Sequence, residues 1–138
     1  MPDEVGSARA PRAELTRRID AVEEAYEFML AYAAQGLSGD AAARSNGELR
    51  QLLTAAVVAL HEIPPLASTV ATVDRPQCAG QFAAFQEVLD RDARASLAAI
   101  ELVLAQPSIS SQLIDNLNAS IHLRALLTDL FLLDEILK

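Results

Sequence analysis

Apolar residues at alternating steps of four and three recur along most of this 138-residue chain, and that spacing is the signature of one buried stripe on an α-helix. Leu15, Ile19, Val22, Tyr26, Met29 and Ala33 make the cleanest run. Leu49, Leu52, Leu53, Ala56, Val57, Leu60 and Ile63 form a wider face, and Phe82, Phe85, Leu89, Ser96, Ile100 and Val103 a third. A fourth follows Ser111 and continues to the C-terminus. Ala and Leu, at 26 and 21 positions, make a third of the chain strong helix former, so an all-α protein is expected.

Between these runs the sequence is punctuated. Gly36 suits the left-handed turn past a helix end, with Leu37 as its apolar contact. Residues 37–44 read as a loop before Ser45, whose hydroxyl would cap helix two while Glu48 completes a capping box; a start at Asp40 is the second option. Pro64 and Pro65 lack amide hydrogens and clash with the preceding turn, so helix two is expected to end or kink by Ile63, with Leu66, Val70 and Val73 forming a short further helical segment. Asp74, Arg75 and Pro76 mark a turn, Pro107 stops helix three after Gln106, and Ser108, Ser110 and Ser111 offer caps for helix four. Residues 1–12, with Pro2, Gly6, Ser7 and Pro11 among charges, read as a flexible N-terminal arm, leaving 13–138 as a single helical-bundle domain. Short connections place successive helices antiparallel. The expected fold is an up-down four-helix bundle with helix two kinked or broken at Pro64-Pro65.

Charge narrows the partners. Nineteen acidic against 11 basic side chains give a net charge of -8, which opposes a phosphate backbone, so no nucleic acid is expected. The densest apolar stretch, 121–137, is interrupted by His122, Arg124, Asp129, Asp134 and Glu135, so no membrane span is expected. Residues 1–14 lack the apolar run of a secretory signal, and the single Cys78 suits a reducing compartment; the expected location is cytoplasmic. Cys78 itself reads as a small packing residue near a helix start. Richness in Ala, Leu and Arg is common in bacterial proteins encoded by G+C-rich DNA.

No residue pattern points to catalysis. His61 and His122 have Val58 and Ala119 where a di-iron helix would place glutamate, and Pro65 and Leu126 where a second ligand would stand. His61 reads as a boundary residue beside the prolines, and His122 as part of a solvated stripe with Asp115, Asn118 and Asp129. Asp20, Glu23, Glu24 and Glu27 lie off the apolar stripe of helix one and are expected in solvent, with Glu14 pairing with Arg18. On helix three, Glu87 with Arg91 and Asp90 with Arg94 have the favourable acid-first spacing. Ser38 between Gly36 and Gly39 lacks the motif glycine of a nucleophile elbow, since Asp40 occupies its place, and the only lysine is Lys138, which excludes a lysine-bearing phosphate loop. No catalytic residue, metal ligand or cofactor is expected, and the chain reads as a non-enzyme.

Helix four has more apolar surface than a peripheral helix uses. Leu113, Leu117, Ile121 and Phe131 are expected to face the interior, while Leu123, Leu126, Leu130, Leu133 and Leu137 form a second stripe. Left in water, that stripe would exceed what monomers commonly expose. It is the expected interface of a homodimer, or of a complex with another protein, against a competing arrangement in which helix four is central and both stripes are core. The expected function is therefore a regulatory or accessory protein-interaction module. An alternative is a small apolar-ligand sensor or carrier, with Tyr26, Tyr32, Phe82 and Phe85 lining a pocket near Pro64-Pro65.

Overall fold

The computed structural model describes residues 4–35 and 39–138, and the side chains of 10–35 and 43–138. Within them all regular structure is helical: α1 (Glu4–Gln35), α2 (Gly39–Asp74), a 3-10 turn (Pro76–Cys78), α3 (Ala79–Leu104), α4 (Ser111–Ala119) and α5 (Ile121–Ile136). The all-α expectation holds, with five α-helices where four were expected.

Helix α1 begins earlier than its stripe suggests. Residues 4–12, assigned above to an arm, belong to the helix, and Pro11 lies inside it. Arg12 gives this turn a tertiary anchor by pairing with Asp74 at the far end of α2. Arg18 pairs in the same way with Glu62, and also with Glu14 one turn back at 3.1 Å. Moving down α1, the partners on α2 are met in reverse order: Asp74, Glu62, then Asn46, whose amide donates to the Tyr32 hydroxyl at 3.2 Å. The two helices are therefore antiparallel. The turn expected at Gly36 and Leu37, with Ser38, lies outside the described residues.

Helix α2 runs unbroken through Pro64 and Pro65, contrary to the expected end or break. Its buried stripe explains the continuity. Leu49, Leu53, Ala56, Leu60, Ile63, Ala67 and Val70 alternate steps of four and three across the prolines without a change of phase, and all are buried. Pro64 is half-buried and Pro65 exposed, so both rings sit beside the stripe. The two prolines inside the helix together cost about 6 kcal/mol, and burying Leu60, Ile63 and Val70 around them, at about 2 kcal/mol each, is of the same size. Gln86 of α3 also donates to the Pro64 carbonyl at 2.8 Å, and the Thr69 hydroxyl to that of Pro65 at 3.1 Å. At the other end Ser45 lies inside α2, which takes the earlier start, so no capping box forms there. The Ala43–Asp74 stretch is long and apolar enough to cross a membrane by length and composition, and its stripe lies in the core described here.

Arg50 fastens α2 to the end of α3. Its guanidinium donates at 3.0 Å to the carbonyl of Leu104, one of those that a helix end leaves without amide partners, and at 2.6 Å to that of Gln106 just beyond the helix. Neither sequence-expected ion pair forms on α3; Asp90 instead accepts from Gln86 at 3.1 Å. Helix four is divided at Ser120. This residue is extended (φ -64°, ψ 139°), closes α4, and caps α5 by accepting from the Leu123 amide at 3.3 Å. The division lets α4 pack on α1, where Asn118 donates to the Met29 carbonyl at 3.3 Å, while α5 packs on α3, where Ser96 donates to the His122 carbonyl at 3.0 Å. Apolar residues from α1 to α5 join in one buried cluster.

Candidate functional site: the outer face of the last helix

In the C-terminal segment Leu117 is buried and Leu113 packs on the core as expected, but after Ser120 the two stripes are exchanged. Leu123, Leu126, Leu130, Leu133 and Leu137, the expected interface, are all buried in the chain's own core. They offer no surface to a second chain. Ile121 and Phe131, expected inside, are outside, at 75% and 54% exposure, joined by Leu132 at 49% and Ile136 at 48%. The physical reason is the Ser120 break. A continuous helix would fix the phase of Phe131 by that of Leu113 and Leu117, but an extended residue between α4 and α5 resets it. After Ser120 the Leu stripe, with five members against Ile121 and Phe131, then wins the interior.

Beside this face lies an apolar groove of about 280 Å³. Cys78 at the end of the 3-10 turn, with Gln81, Phe82 and Phe85 of α3, forms one wall; Leu132, Leu133 and Ile136 form the other. Arg75 donates to the Ile136 carbonyl at 3.0 Å, tying the last turn of α5 to the start of the 3-10 turn. Phe85 is only half-buried, and Val88 further along the same helix is exposed, so the apolar surface continues from α5 on to α3.

The four aromatics expected to share a pocket do not. Phe82 and Phe85 line the groove, whereas Tyr32 is buried near the opposite end of α3, a helix about 38 Å long at the standard rise. There the Tyr32 hydroxyl donates to the Ile109 carbonyl at 2.6 Å, beside a cleft of about 490 Å³ that includes Asn46, Ser108 and Ser110. Tyr26 packs against the core from the middle of α1. Around the prolines, Pro65, Leu66 and His61 border a shallow cleft with Glu14, Arg18 and Glu62.

The two histidines are likewise apart, whereas some carboxylates are brought together. His61 is exposed, with its Nε2 3.9 Å from Glu101, and His122 is exposed on α5. Among the described residues no three His, Cys, Asp or Glu side chains converge in a way that could hold a metal. Two members of the stripe expected in solvent are buried instead: Asn118, with its Oδ1 unpartnered, and Asp129, with its Oδ2 unpartnered. Burial, a hydrogen bond with Asp92 of α3 and that residue's charge push the Asp129 carboxyl up to about 7. Glu23, also expected in solvent, is half-buried; that burial raises its carboxyl, and Asp134, Asp20 and Glu27 raise it further. Nothing in the sequence marks Asp129 as internal except its position one turn from Leu126 and Leu133, within the stripe that the core takes.

No family model matches this sequence, and no match is found among curated proteins or solved structures. The functional reading therefore stands on the geometry of the chain.

Proposed function

We propose that this protein is a non-enzymatic helical interaction module whose docking face is the outer side of α5, with a second copy of the chain as its occupant. One observation supports this above all: Ile121, Phe131, Leu132 and Ile136 are about half exposed or more along a single helix, and an apolar groove adjoins them. Large apolar side chains gathered on one face mark association sites in soluble proteins. Twofold pairing places one such face against its own copy and is the commonest assembly.

The test compares surface and core substitutions by native mass spectrometry and light scattering across a concentration series. Wild type is expected to be dimeric, and Phe131→Asp combined with Leu132→Asp to give a folded monomer with unchanged helical circular dichroism. Leu126→Ala, in the core, is expected to lower stability by about 3 kcal/mol while leaving the dimer face intact. A wild-type protein that stays monomeric at every concentration would remove the second copy as occupant.

The groove supports a second reading, a carrier or sensor of small apolar molecules, because its walls are almost wholly apolar. Thermal shift against a panel of aromatic and alkyl compounds separates the two: ligands that raise the Tm of wild type but not of Phe85→Asp support the carrier, and a null panel discards it.

A further inference from the structure

We propose that Asp92 and Asp129 form a proton-dependent latch between α3 and α5: one proton held between the two carboxyls keeps α5 seated, and its loss loosens that helix.

The geometry is that of a seam between two antiparallel helices. Ser96 of α3 donates to the His122 carbonyl at the start of α5, and one turn back on α3 Asp92 meets Asp129 further along α5. Asp129 is 6% exposed, and its Oδ2 has no hydrogen-bond partner. An ionised carboxylate in that place is disfavoured twice, by the water it gives up and by a second negative charge beside it. A proton removes both conflicts, since a protonated carboxyl donates to its neighbour and only one charge remains. The pair then behaves as a single titrating unit.

Other charges do not offset it. Among the described residues, Asp92 is the charged group from α3 that bears on Asp129. From α1, Glu23 faces Asp134, further toward the end of α5, and α4 carries only Asp115, which is exposed. On α5 itself, His122, Arg124, Asp134 and Glu135 are exposed. Asp129 lies between Leu126 and Leu133 in sequence, so a charge there disturbs the leucines that hold α5 in the core. Leu132 and Leu133, one turn further, are a wall of the groove, which ties the latch to that surface. The latch stands on the fold alone; its effect on docking rests on the proposed function above.

The experiment is hydrogen–deuterium exchange on the full chain at about pH 6 and about pH 8, corrected for intrinsic exchange and referred to α2. Linkage between a carboxyl titrating near 7 when seated and near 3.8 when released gives about a tenfold loss of α5 protection over that interval. Asp129→Asn, which holds the neutral form, is expected to show no such loss, and His122→Gln to keep it. Equal protection of wild-type α5 at both values, or a loss that survives Asp129→Asn or disappears with His122→Gln, overturns the latch. Should Asp129→Asn fail to fold, carboxyl ¹³C titration of the wild type decides: a midpoint near neutrality for the pair supports the proposal, and ordinary aspartate titration for both members refutes it. These readouts need no partner, so they stand or fall apart from the dimer test.

Discussion

Gly47 lies inside α2, exposed, and a Cβ built on it meets nothing within 4 Å. The residue therefore contributes neither a close approach nor a turn, only the backbone freedom that a glycine loses on folding. Gly47→Ala is expected to stabilise the protein by about 1 kcal/mol, measured by urea unfolding. Elsewhere single residues were harder to place from the sequence. Asp129 and Asn118 are polar types on what reads as a polar stripe, yet both are buried, because a helix stripe has no fixed direction until its neighbours are known. Glu23 shows the same limit more mildly. Cys78 was legible as a packing residue near a helix start, and its half-buried position on the groove wall agrees with that.

At the scale of elements, punctuation was read well where it acts through local chemistry. The caps of α4 by Ser110, which accepts from the Leu113 amide at 3.0 Å, and the end of α3 near Gln106 follow from residues next to the boundary. Ser120 was missed because a serine without a neighbouring glycine or proline carries a weak stop signal, although its hydroxyl does cap α5. Ser120→Ala is expected to cost about 1 kcal/mol by thermal or urea unfolding, with the loss of protection in exchange measurements concentrated in the first turn of α5. Pro64 and Pro65 mislead in the opposite sense. Their local preference is to stop a helix, and the uninterrupted stripe from Leu49 to Val70 overrides it. That stripe was present in the sequence, with Ala56, Ala67 and Val70 keeping phase on both sides of the prolines.

For the whole molecule, acidity has a consequence for stability. Asp129 and Glu23 both hold protons in the fold that an unfolded chain gives up more readily. A carboxyl raised by folding favours the folded state fully below its unfolded value, and that advantage fades as pH rises toward the folded value. For Asp129 the window runs from 3.8 to about 7. Melting followed by circular dichroism is expected to give a Tm several degrees higher at about pH 5.5 than at about pH 7.5. Asp129→Asn should flatten most of that slope and leave the smaller part belonging to Glu23. The direction is opposite to that of a protein whose carboxylates are held ionised by cations. Arg12 and Arg18 supply such pairs at one side of α1, and α5 meets the acidic side through Asp134.

The sequence by itself determined that the chain is helical, where the main apolar stripes run, and which turns separate α2, α3 and α4, because period and capping are properties of neighbouring residues. Tertiary structure alone decided which stripe of α5 faces inward, that α2 continues through two prolines, and that Asp129 meets Asp92. Each of these depends on free energy shared among helices distant in sequence. One extended residue at Ser120 resets the phase of everything after it, and the five leucines that sequence spacing offers to a partner become the core, leaving Ile121, Phe131, Leu132 and Ile136 as the outer face.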